Sequence, residues 1–179
     1  MPLPSFHVFL SHGLESRPNS TKMQALQAVA EQFPGVMVKA VDHRSSKDPA
    51  TRLLQMQAAM KKAGAVPERT ILAGSSMGGW VCAQTSAQTP VLGCFMLAPA
   101  FALEHYPHSK PTIGAAFSQI IHGWQDEVVP VGPVLELAQQ QRISTLVLDD
   151  GHRLANSMSR ITDEFRCLLQ LCLESHSAL

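Results

Sequence analysis

Short apolar runs alternate along the chain with stretches whose apolar positions recur every three or four residues. Phe6 to Leu10 is the first run, rich in β-formers, and it ends at Ser11-His12-Gly13. Met23, Leu26, Ala30 and Phe33 then fall on one helical face, which Pro34-Gly35 closes. Val36 to Val41 reads as a second strand. Asp48 offers an N-cap and Pro49 a first-turn residue for a helix carrying Leu53, Met56 and Met60, with Gly64 as its stop.

The third strand is Thr70 to Ala73, followed at once by Gly74-Ser75-Ser76-Met77-Gly78-Gly79 and a helix to about Gln88. Val91 to Leu97 is apolar throughout, as a strand buried on both faces requires. Phe117–Ile121 and Ser144–Leu148 are two further strands, and Val134, Leu135, Leu137 and Ala138 suggest a helix between them. The last helix is the clearest, with Met158, Ile161, Phe165, Leu168 and Cys172 on strict 3/4 spacing. Pro99 to Pro111 holds three prolines without a period and reads as a loop with room for one short helix. Six strands alternating with helices predict a three-layer α/β/α fold around a mainly parallel six-stranded sheet.

Composition narrows the function. At 179 residues the chain suits one domain over 1–179, and 45% hydrophobic with 16% charged residues is ordinary for a globular protein. Lys and Arg number 14, as do Asp and Glu, so neither nucleic acid nor a membrane surface is an expected partner. The first ten residues lack the basic start of a signal peptide, and no run is long enough to span a bilayer. Cys82, Cys94, Cys167 and Cys172 sit in apolar segments without metal-ligand spacing and read as free core thiols. A cytoplasmic location follows as the expectation.

Gly74-Ser75-Ser76-Met77-Gly78 matches G-x-S-x-G, with Ser76 at the centre. A nucleophile on a tight strand-to-helix turn stands clear of the sheet, and the glycines remove clashes on either side. The alternative is a small-residue turn that merely packs a helix on a strand. What favours the chemical reading is position, since the motif stands directly after a strand and before a helix. Ser75 is a weaker rival, because it lacks the flanking glycines at the required spacing.

Serine needs a base, and the base needs an orienting acid. In this architecture such groups belong at the carboxyl ends of strands. His152, behind Gly151 after the last strand, is the preferred base among eight histidines. His12 and His122 also lie at strand ends and read as turn-shaping residues. Asp126 is the preferred acid over Glu127, Asp149 and Asp150, the last two reading as solvated loop charges. His105 and His108 form an HxxH pair without carboxylate or cysteine company, so no metal and no cofactor are expected. For the oxyanion hole we expect the backbone N–H of Met77 and that of Leu14, with Gly13 beside it.

These pieces resemble the α/β-hydrolase superfamily, in particular its small cap-less bacterial esterases. SHGLES at 11–16, GSSMGGW at 74–80, HGWQDEVVP at 122–130 and DGHRL at 150–154 follow that family's order along nearly the whole chain. The resemblance implies a minimal fold lacking the family's first two strands and its cap, with a shallow, open site. It also implies hydrolysis of a small carboxylic ester or thioester through an acyl-Ser76 intermediate. Phe101, Leu103 and Tyr106 are candidates for an acyl-binding wall, or equally for ordinary packing. The competing expectation is a non-catalytic binding protein that keeps the fold.

Overall fold

The computed structural model describes residues 5–177; the expectation about the first residues therefore lies partly outside it, at 1–4. In chain order the elements are β1 (Phe6–Ser11), α1 (Thr21–Ala30), β2 (Val36–Val41), α2 (Pro49–Lys62), β3 (Thr70–Ser75) and α3 (Met77–Gln88), then β4 (Val91–Leu97), β5 (Ala115–Gly123), α4 (Val131–Gln141), β6 (Ser144–Leu148) and α5 (Met158–Ser177). All strand pairs are parallel, in the order β2-β1-β3-β4-β5-β6.

Period-2 alternation divides the apolar side chains between two layers. Phe9, Leu72, Cys94, Met96 and Ile120 face α2, α3 and α4 on one side of the sheet. Val8, Leu10, Ile71, Phe95 and Leu97 face α1 and α5 on the other. Burying both faces of β3 and β4 is why those strands carry almost no polar residue.

Three expectations about elements need correction. Strands and helices do not alternate throughout, because residues 98–114 connect β4 to β5 without any helix. Its prolines and the left-handed backbone at Ala98, Ala102 and His108 prevent a continuous helical hydrogen-bond ladder. Phe33 lies beyond α1, which ends three residues earlier, although it still packs against the core on that side. Cys167 is exposed on α5, whereas Cys82, Cys94 and Cys172 are buried; all four are free thiols. A short 3-10 turn at Pro67–Arg69, which no periodicity announced, leads into β3.

The chain winds from β1 to β2 in one direction and then places β3 on the other side of β1. The connections after β1 and β3 therefore part at the carboxyl edge of the sheet, and a crevice opens between them. No helix among the described residues is long and apolar enough to cross a membrane.

Candidate functional site

Ser76 is the residue between β3 and α3, with φ 56° and ψ −117°. That backbone is costly for any residue with a β-carbon, and it is held from three sides. The Ser76 N–H donates to Leu97 O at 2.9 Å, while Ser76 O accepts from Ala100 N at 3.0 Å and Trp80 N at 3.2 Å. The flanking glycines face one another. A β-carbon on Gly74 would stand 2.2 Å from Gly78 O, and one on Gly78 would stand 1.9 Å from Ser11 O. The turn can close onto β1 only because neither residue has a side chain.

Three side chains from three loops converge above this edge. Ser76 Oγ lies 3.0 Å from His152 Nε2, and His152 Nδ1 lies 2.8 Å from Asp126 Oδ2. The carboxylate can only accept, so Nδ1 carries the proton in the neutral ring and Nε2 is free to accept from the Ser76 hydroxyl. Asp126 has no exposed side-chain surface. Its Oδ1 accepts from the N–H groups of Val128 at 2.9 Å and Val129 at 2.7 Å. His122, also fully buried, adds a second imidazole, with Nε2 2.8 Å from Val129 O and 3.2 Å from Asp126 Oδ2. It thus supports Asp126 rather than addressing Ser76. Its Nδ1 has no hydrogen-bond partner among the described residues.

The loop after β1 is held by His12, in the turn-shaping role expected of it, and by His43, Gln55 and Arg52, which the sequence did not single out. His12 Nδ1 donates to Gly13 O at 2.8 Å, and His12 Nε2 accepts from His43 N at 3.0 Å. His43 in turn links Ser11 Oγ (2.9 Å) to Gln55 Oε1 (2.7 Å). Burial pushes the His43 imidazole down to about 4 and lowers His12 as well. Arg52, only 1% exposed, reaches from α2 to the carbonyls of Gly13 at 3.0 Å, Leu14 at 3.1 Å and Ser46 at 2.8 Å, with a longer contact to His12 O. A clue was present, since Arg52 shares a helical face with Met56 and Met60. With the carbonyls of this loop drawn toward Arg52, the Leu14 N–H has no acceptor among the described residues. The same holds for Met77 N–H, the first amide of α3.

Ser76 opens into a cleft of about 850 Å³. Gly13, Leu14, Leu103 and Tyr106 line it; Phe101 does not, being 1% exposed in the core beneath α3. Asp149 is exposed, but Asp150 is not the solvated charge expected. It is buried and accepts from Gly151 N, Asn156 N and Ser157 Oγ, which shapes the loop that carries His152. Ser75 is buried too, its Oγ accepting from Lys22 Nζ at 3.2 Å. Burial lowers that ammonium to about 8. His105 and His108 are exposed, and no cluster of three metal-ligating side chains occurs among the described residues.

The family model for UPF0227, an uncharacterised protein family, matches residues 7–148. No curated protein matches the sequence. Among solved structures, a Xanthomonas campestris protein described as a hydrolase of the α/β superfamily shares 32% identity. The match covers 92% of this chain and 98% of that one, at a TM-score of 0.81. Est1E from Butyrivibrio proteoclasticus superposes at 0.77 with 16% identity, over 97% of this chain and 90% of its own. A second Xanthomonas campestris protein, a serine hydrolase without a lid, superposes at 0.76 with 15% identity, over 95% and 84% of the two chains. At such identities the last two speak for the fold alone.

Proposed function

We propose, from the premise that this chain belongs to the UPF0227 family and to the α/β-hydrolase superfamily, that it is a serine hydrolase of small carboxylic esters or thioesters. One observation carries the reading. The hydroxyl of Ser76, the imidazole of His152 and the carboxylate of Asp126 form an unbroken hydrogen-bonded line at the mouth of a cleft.

In this reading Ser76 Oγ attacks the substrate carbonyl carbon while its proton passes to His152 Nε2. The imidazolium that forms is stabilised by Asp126, whose position is fixed by two amides and by His122. Negative charge on the former carbonyl oxygen falls to the N–H groups of Met77 and Leu14 and to the N-terminus of α3. His152 then protonates the departing alcohol or thiol, leaving an acyl-Ser76 ester. Water attacks that ester with His152 again as base, and the acid product leaves with Ser76 restored. Each step is served by groups of the chain itself. Leu103 and Tyr106 supply an apolar wall for the acyl or alcohol portion.

A fluorophosphonate probe tests the proposal. The wild-type protein should label and Ser76→Ala should not, with p-nitrophenyl acetate hydrolysis lost together with the label. A folded wild-type protein that neither labels nor hydrolyses would instead be a binding protein on a hydrolase fold.

A further inference from the structure

The cleft also carries a cationic corner that the reaction as described does not use. Lys22 lines the cleft together with Ser75, Ser76 and His152. Its ammonium donates to Ser75 Oγ at 3.2 Å, and no carboxylate lies within 4 Å of it among the described residues. The nearest acids are committed elsewhere. Asp150 spends its two oxygens on Gly151, Asn156 and Ser157, and Asp126 on its amides and imidazoles. Glu15, on the rim, points outward to Lys47 at 3.3 Å.

Two further features carry the same sign. Arg153 also lines the cleft and disfavours the Lys22 charge, though less than Asp150 favours it from a distance. The first turn of the ten-residue helix α1, capped by Ser20, also opens onto the cleft through Thr21 and Lys22 and holds no acidic residue. A desolvated ammonium near a like charge, with no carboxylate in direct contact, is an arrangement that an incoming anion relieves.

We propose that Lys22, aided by Arg153 and the amino end of α1, recognises a carboxylate on the substrate, so that the preferred esters are anionic. This rests on the serine-hydrolase reading above and names its substrate class. Ser75 adjoins Ser76, so bond lengths bound the Lys22 Nζ to Ser76 Oγ separation at about 12 Å. The substrate charge therefore stands only a few bonds from the scissile carbonyl, not at the end of a long carrier arm.

Two matched pairs of esters, followed by acid release at constant pH, decide the matter and locate the charge. Monomethyl glutarate against methyl valerate places a carboxylate on the acyl side. Then 3-acetoxybenzoate against its methyl ester places one on the alcohol side. In one pair the anion should exceed its neutral partner in kcat/KM by tenfold or more, chiefly through KM. Lys22→Met should lower that ratio at least tenfold, and Lys22→Arg should keep most of it. Equal or inverted rates in both pairs, or a preference that survives Lys22→Met, overturn the assignment. If Ser76 takes the fluorophosphonate but neither pair is turned over, this assignment falls and the hydrolase reading stands. If Ser76 does not label either, both fall.

Discussion

His122 Nε2 lies 3.2 Å from Asp126 Oδ2, the same oxygen that takes Nδ1 of His152 at 2.8 Å. Two imidazoles thus meet beside one carboxylate oxygen: His152 presents its N–H to it, while the His122 Nε2–H is directed at Val129 O. An amide nitrogen in that place would confront the His152 donor. Asp126→Asn should therefore drive His152 into its other tautomer, with a proton facing Ser76. We expect a loss of kcat of about 10³–10⁴-fold with the fold preserved. A folded Asp126→Asn protein with full activity would move the acid elsewhere.

Replacing His122 is a milder test of the same relationship. His122→Phe removes the imidazole that lies against Asp126 and donates to Val129 O, and leaves the His152 contact in place. A drop of about tenfold in kcat with KM unchanged is the expected outcome, as a positioning role predicts. A change confined to thermal stability would reduce His122 to packing.

The strained elbow yields a stability prediction of unusual sign. At φ 56° and ψ −117° a residue without a β-carbon is relaxed where serine is not. Ser76→Gly should abolish probe labelling yet stabilise the protein by about 1 kcal/mol, or about 2–4 °C in melting temperature. A lower midpoint than wild type would show that the hydroxyl contributes more to folding than the backbone strain costs.

Arg52 ties the loop after β1 to α2 through buried carbonyls. Arg52→Met keeps much of the volume but strands those oxygens, which should cost about 2–3 kcal/mol in urea unfolding. Activity should fall further than stability explains, because the Leu14 amide loses its fixed direction. If the variant unfolds at the wild-type urea concentration, the carbonyls have found other partners.

Buried histidines set the pH response. The His43 imidazole is held near 4, against an ordinary value of 6.5, because burial penalises the charged ring. Between those values the unfolded chain binds a proton that the folded protein refuses. Stability should thus fall as pH drops from about 6.5 to about 4, by up to about 3 kcal/mol from this residue. His12 and His122 are lowered by the same cause and act in the same direction. Urea midpoints at pH 7, 5.5 and 4.5 would show the slope, and His43→Gln should flatten it. An unchanged slope would assign it to other groups.

Most of the strand–helix frame was legible because burial on both faces of a parallel sheet leaves continuous apolar runs, as at Val91–Leu97. The elbow was legible because its backbone admits only glycine at 74 and 78. Phe101 and Tyr106 were not separable in advance, since facing the core or facing a cleft asks for the same side-chain chemistry. Asp150 looked like a solvated charge beside His152. Its burial depends on Asn156 and Ser157 folding back over it, which no local pattern announces. Arg52 and Lys22 escaped notice because a single cation on a helix is ordinarily a surface residue.

The connection over residues 98–114 contributes no strand and no helix, yet it supplies Leu103 and Tyr106 to the cleft wall. The pairing of β4 with β5 is fixed by main-chain register on either side of it. Lengthening it would cost little, since doubling a flexible loop adds only about 0.6 kcal/mol of closure entropy. This stretch is accordingly where descendants of the scaffold could acquire a roof over the nucleophile, and with it new tastes in substrate, while the reacting groups beneath stay as they are.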